Sequence, residues 1–203
     1  MGDDGHALRE LLRARNAGDE ADHGAIDEQI KARFCRQSAV LITDMDGFSR
    51  TTKSKGIIAF LAMIQRQIDL CRPGIRDHGG QLLKVIGDDL FCAFPDAPAA
   101  VNAALAMQAA VAEDNETRAE DDRLGVAIGI GFGELLHVGD EDLFGDQVNR
   151  ASKLGEDIAT GGEILITEEV AAAITDLPGC WMDHRKARIS GLSFDYYAVM
   201  PLN

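Results

Sequence analysis

The chain has 203 residues, 46% of them hydrophobic and 27% charged, enough for one domain with a substantial core plus an N-terminal extension. A formal net charge of -14 without any Lys/Arg cluster argues against phosphate-backbone recognition, so nucleic acid is not an expected partner. No apolar run approaches the roughly 18 residues that a bilayer crossing needs, and Cys35, Cys71, Cys92 and Cys180 form no C-x-x-C pair, so a soluble, cytoplasmic protein with reduced thiols and no membrane partner is expected.

Helix-prone stretches at 7–17 and 25–35 carry narrow apolar stripes, Leu8, Leu11, Leu12 and Ile26, Ile30, Phe34, and read as a helical extension over 1–36 that packs on the remainder, 37–203, or on a dimer mate. The apolar run Ala39, Val40, Leu41, Ile42 predicts a strand ending in the turn-forming Asp44, Met45, Asp46, Gly47. A long helix is predicted over 57–77, with Ile57, Phe60, Leu61, Ile64, Ile68 and Cys71 on one face. His78, Gly79 and Gly80 break it. Segments 81–86 and 90–94, joined at Gly87, Asp88 and Asp89, read as a β-hairpin.

An Ala-rich helix over 97–111 and an acidic loop over 113–122 come next. Strands are expected at 126–131, where Gly129 and Gly131 imply a close approach, and separately at 134–138. A helix over 146–159, a strand over 163–167, a helix over 168–174 and two or three strands over 181–199 complete the chain. The order predicts an α+β fold: a ferredoxin-like βαββαβ core, with its helices on one face of the sheet, followed by a C-terminal αβ extension.

In such a sheet Asp44, at the end of the first strand, and Asp88, in the hairpin turn, become neighbours on central strands. Two converging carboxylates suit Mg²⁺, which prefers few carboxylates plus phosphate oxygens. Each segment alone reads better as a turn former. Asp46, Gly47, Phe48 and Ser49 lead towards a helix, so their N–H groups could meet a phosphate chain or simply form a cap. Lys84 interrupts Leu82, Leu83, Val85 and Ile86, and its ammonium must point into a cleft or out from an edge.

Three stretches in order, Ile42 to Ser49, Lys84 to Asp88, and Asp142 to Lys153, together resemble the class III adenylyl and guanylyl cyclase family over about 38–199. The resemblance implies metal binding by Asp44, Asp88 and the main-chain carbonyl of Met45, with two Mg²⁺ or Mn²⁺ ions per site. It matches Lys84 and Asp142 to the pair that reads the purine, an arrangement typical of adenine. Asn149 matches the residue that orients the ribose, and Lys153 stands where the family usually has a transition-state arginine. The family draws these last four groups from the partner subunit, so a homodimer is implied. The implied reaction is conversion of a nucleoside triphosphate, with ATP favoured, to its 3′,5′-cyclic monophosphate and pyrophosphate.

This sequence departs from the family in three places. Lys153 replaces a bidentate guanidinium with a point charge. Ser190 replaces a common lysine before Gly191, leaving Arg188 or Lys186 as candidates for triphosphate contact, and the arm over 132–141 is short. His137 in that arm reads as structural. Other readings remain: a nucleotide-binding dimerisation module without turnover, a haloacid-dehalogenase-type phosphatase built on Asp44-Met45-Asp46, and a diguanylate cyclase. The phosphatase needs more βα units between its motifs than the chain supplies, and the third reading lacks its Gly-Gly-Asp/Glu-Glu-Phe hairpin.

Overall fold

A computed structural model describes residues 3–46, 56–189 and 192–202. The fold is organised around β1 (Cys35–Met45), whose side chains alternate between two buried layers. Ala39, Leu41 and Met45 join the larger core, while Val40 and Ile42 join a second core on the opposite face. α3 (Ile57–Asp77), β2 (Gln81–Ile86), β3 (Asp89–Phe94), α4 (Ala97–Glu116) and β4 (Val126–Val138) follow in chain order. β2, β3, β1 and β4 lie side by side in that order, each antiparallel to its neighbours, which is two interlocked split βαβ units. β6 (Ile164–Thr167) continues the sheet parallel to β4, followed by β8 (Leu192–Pro201) and β7 (Cys180–Ile189). α6 (Glu168–Ala173) connects β6 to β7. This is the expected α+β, ferredoxin-like βαββαβ core with a C-terminal αβ extension.

Several expectations are corrected. Helices cover both faces of the sheet rather than one: α3 and α4 pack on the larger core, and α5 (Asp146–Ser152) lies across the other face, with Ala151 in the second core. Close approach makes this possible, since a Cβ on Gly129 would lie inside contact distance of the Ala151 carbonyl and 2.6 Å from the Gly155 nitrogen. The strands expected at 126–131 and 134–138 are one continuous β4, because β1 pairs with it from Val126 through Leu136. A short β5 (Asp142–Phe144), unforeseen, pairs back on the end of β4. The helix expected over 146–159 changes at Lys153 into a wider π-helical turn, Lys153–Ile158. α4 runs on to Glu116, beyond the predicted end at 111.

The apolar stripe of α3 is also displaced from the expected one. Ile57 and Leu61 are exposed, and the buried face is Phe60, Met63, Ile64, Gln67, Cys71 and Ile75. A glutamine lies on the buried face because it has a partner there: Gln67 donates to the Thr43 hydroxyl at 3.0 Å. The same hydroxyl accepts from the Leu90 amide at 3.1 Å. This polar staple ties α3, β1 and β3 together one residue before Asp44.

α1 (Asp3–Ala17) and α2 (Glu20–Phe34) form an antiparallel hairpin, and α2 passes into β1 with no loop between Phe34 and Cys35. No helix among the described residues is long and apolar enough to cross a membrane. All four cysteines are free.

Candidate active site

At the turn end of the β2–β3 hairpin Gly87 adopts φ 63°, a conformation that favours glycine, and so reverses the chain tightly enough to bring Asp88 and Asp89 beside the end of β1. Asp44, Asp88 and Asp89 each offer a carboxylate oxygen within 4.8 Å of the others. Asp88 Oδ2 and Asp89 Oδ1 are buried and have no hydrogen-bond partner. Burial first, and then the Asp88 charge, raises the Asp44 pKa above the ordinary carboxylate range. Asp88 is raised as well, by burial, against the opposing N–H groups of its own backbone and of Met45. Asp89 is pushed up to about 7, by burial and then by the charges of Glu156, Asp88 and Asp44. Clustered carboxylates with orphaned oxygens are costly without a counter-charge, and this all-oxygen donor set fits a hard divalent cation.

Asp44 and Asp88 therefore meet as the strand order requires, but Asp89 was not foreseen as their companion. It is the first residue of β3, and the alternation that places Phe91 in the second core puts Asp89 on the same face. Glu156, on the π-helical turn, is a second unforeseen neighbour. Its charge is felt by both Asp44 and Asp89.

Lys84 reaches this face through a β-bulge. The β2–β3 register shifts between Leu82 and Lys84, so Leu82 opposes Cys92 while Lys84 opposes Phe91. Lys84 Nζ then lies 4.8 Å from the centre of the Phe91 ring and donates to Asp142 Oδ1 at 2.6 Å. Asp142 arrives on β5, because the arm made by β4 and β5 carries Leu143 into the second core beside Val40 and Ile42. Asp142 is itself oriented by the Leu143 amide at 2.8 Å. Residues separated by 58 positions thus form one ion pair on the α5 face of the sheet.

Asn149 is exposed on α5, and Lys153 lies one turn further along, where the π-helical turn begins. The helix's own arginine, Arg150, is bound by Asp146 at 2.8 Å and Glu169 at 3.2 Å. Asp46 is committed elsewhere. Its amide donates to the Gly125 carbonyl at 2.8 Å, and its carboxylate accepts from the Gly161 amide at 2.8 Å, so it clamps the β1 end and offers no free N–H. Gly47, Phe48, Ser49 and the Ser190-Gly191 turn lie outside the described residues, and for Arg188 only the backbone, in β7, is described.

His137 is buried towards the other end of β1. The Arg36 guanidinium can only donate, so Nδ1 accepts at 2.8 Å, leaving Nε2–H to donate to the Ser38 hydroxyl at 2.7 Å. Burial and the Arg36 charge push the His137 pKa to about 4, so the ring is neutral and structural.

The family model of the adenylate and guanylate cyclase catalytic domain matches residues 30–191. An adenylate cyclase of Anabaena cylindrica is 29% identical over 166 residues, covering 74% of this chain and 33% of the relative. One from Streptomyces coelicolor is 30% identical over 142 residues, covering 70% of this chain and 34% of the relative. The chain spans a third or less of the length of most curated relatives it matches. A crystal structure of an adenylate/guanylate cyclase/hydrolase from Silicibacter pomeroyi superposes with a TM-score of 0.69 at 27% identity, covering 83% of this chain and 99% of that one. With the family match extending over most of the chain, from the end of α2 through β7, the protein belongs to the adenylate and guanylate cyclase catalytic domain family.

Proposed function

We propose that the chain forms a 3′,5′-cyclic monophosphate and pyrophosphate from a nucleoside triphosphate, with ATP the preferred substrate, at sites shared between two copies. The observation that carries this reading is the convergence of Asp44, Asp88 and Asp89 at one end of the sheet, on the face that also bears the Lys84–Asp142 pair. Asp44, Asp88, the Met45 carbonyl and, in this chain, Asp89 would hold the divalent cations. Two Mg²⁺ or Mn²⁺ ions held by these residues would supply positive charge against the triphosphate and would lower the pKa of the ribose 3′-hydroxyl.

The remaining work is positioning and charge placement. The Asp142 carboxylate accepts from the exocyclic amine of adenine while the Lys84 ammonium donates to a ring nitrogen, and guanine presents the opposite pattern of donor and acceptor. Asn149 orients the ribose so that its 3′-oxygen lies in line with the α-phosphorus. As the 3′-oxygen, its proton released to solvent, bonds to the α-phosphorus, the bond from that phosphorus to the bridging oxygen of the β-phosphate breaks and pyrophosphate leaves, with the Lys153 ammonium against the charge that develops on the phosphate oxygens. Arg188 is a candidate for the triphosphate tail. Gly47, Phe48 and Ser49 are proposed to offer their amides to it.

A second copy supplies the base-reading and ribose-orienting groups opposite the acidic cluster. Exposed apolar side chains at the start of α3 (Ile57, Ile58, Leu61) and on β2 (Val85, Ile86) support a covered face in the assembled protein. Incubation with ATP, GTP, CTP and UTP separately, each with Mg²⁺ and with Mn²⁺, followed by mass spectrometry, tests the assignment. The expected product is cyclic AMP. Binding of ATP with no cyclic product from any nucleotide would leave a nucleotide-sensing dimer module instead.

Lys153 sets a second expectation. A guanidinium bridges two phosphate oxygens where an ammonium meets one, so Lys153→Arg is expected to raise kcat by about three- to tenfold with little change in KM. A fall in kcat measured by cyclic nucleotide formation would remove Lys153 from the transition-state position.

A further inference from the structure

The β4–β5 arm that carries Asp142 has two faces. Leu135 and Leu143 turn inward to the second core. Leu136 and Val138 turn outward and are covered by α1 and α2, through buried Leu8, Ile30 and Phe34 with Ala7, Leu11 and Ile26 around them. Val138 is the cross-strand partner of Asp142, so the residue lying under the helices and the carboxylate bound to Lys84 share one rung of the ladder. A groove of about 460 Å³ runs between α1 and the arm, with Leu8, Arg9 and Leu12 on one side and Val138, Asp142 and Phe144 on the other.

The helical hairpin is itself a braced unit. Arg15 grips Asp27 through two nitrogens at 2.5 and 3.1 Å, and Arg33 meets Asp4 at 3.1 Å, closing the hairpin at both ends. α2 also continues directly into β1, the strand that bears Asp44 near its end. The N-terminal hairpin is therefore fixed to the strand bearing one half of the chemistry while resting on the arm bearing the other half.

We propose that α1 and α2 are a positioning element for base recognition: Leu8, acting through Val138, holds Asp142 where it meets Lys84. This rests on the reading of Lys84 and Asp142 as the base-contacting pair. Leu8 is a positioning residue and touches no substrate. A charge at position 8 expels α1 from the arm, frees the Val138–Asp142 rung, and loosens the choice between an adenine and a guanine edge.

The test uses the full chain with Leu8→Glu and the conservative Leu8→Met. Amide hydrogen exchange over 136–144 is expected to accelerate about tenfold in Leu8→Glu, with exchange over 39–42 unchanged, and to stay near wild type in Leu8→Met. In kinetics, the ratio of kcat/KM for ATP over GTP is expected to shrink by about tenfold in Leu8→Glu, through a higher KM for ATP, with recovery in Leu8→Met. Unchanged exchange over 136–144 would overturn the proposal. So would faster exchange with an unchanged ATP/GTP ratio, or equal loss of turnover on both nucleotides, since either makes α1 a stabilising cover only. Should the wild-type chain form no cyclic nucleotide, the catalytic reading fails by itself, and the exchange comparison still decides whether α1 governs the arm.

Discussion

Asp44→Asn and Asp88→Asn are each expected to lower cyclic nucleotide formation by about 10³-fold or more, because removing one carboxylate removes charge that holds the cations against the reacting phosphate. The same substitutions are expected to make the metal-free fold more stable, which separates a site built for a cation from one built for stability. The sign follows from the pKa directions. Asp44 and Asp88 titrate above their ordinary values in the folded chain, so ionising them costs folding free energy. That cost is absent below the unfolded carboxylate range, near pH ~4, and is fully present above the raised folded values. In chelator at pH 7 to 8 the Asn variants should therefore melt above wild type, and the difference should vanish towards pH ~4. Millimolar Mg²⁺ or Mn²⁺ should raise the wild-type Tm and leave the variants nearly unmoved. Variants that melted below wild type in chelator would show that the cluster is held by contacts other than a cation.

Gly129→Ala is the substitution with the largest expected effect on stability. The added methyl would meet backbone, the Ala151 carbonyl and the Gly155 nitrogen, and neither can rotate aside as a side chain could. Relief requires α5 to lift from β4, opening the second core at Ala151 and displacing Asn149 and Lys153 together. A loss of about 4 kcal/mol or more is expected, enough to leave much of the chain unfolded at 37 °C. Chemical denaturation followed by circular dichroism measures it. A loss below about 1 kcal/mol, the range of ordinary substitutions, would show that α5 is not seated on the sheet as described.

The backbone of the fold was legible in the chain where local chemistry decides it. α3 was bounded correctly because a long apolar period ends in Gly79-Gly80, and the β2–β3 hairpin because Gly87 separates two apolar runs. Where a long-range partner decides, reading failed. Two strands were expected where β1 holds one continuous β4, although Gly129 and Gly131 did mark a close approach, which is the seat of α5. The buried face of α3 was misjudged because Gln67 counts as polar until Thr43 is placed opposite it.

The candidate site divides along the same line. Asp44, Asp88 and Lys84 stood out by residue type and place, although each alone also fits a turn former or an edge lysine, whereas Asp142, Asn149 and Lys153 came only from the resemblance of three ordered stretches to the cyclase family. Three features came only with the fold. Asp89 joins the acidic cluster because β3 alternation turns it to the face of Phe91. Lys84 faces Asp142 because a bulge after Leu82 reverses the side it would take by simple alternation. Asp142 comes within reach because the arm carries Leu143 back over Val40 and Ile42. Strand, helix and turn propensities act over a few residues, so the chain's own order settles the elements and the chemical groups. Bulge register, arm position and the seating of α1 on Leu136 and Val138 depend on which apolar surfaces bury one another across the sheet, and only the packed structure decides that.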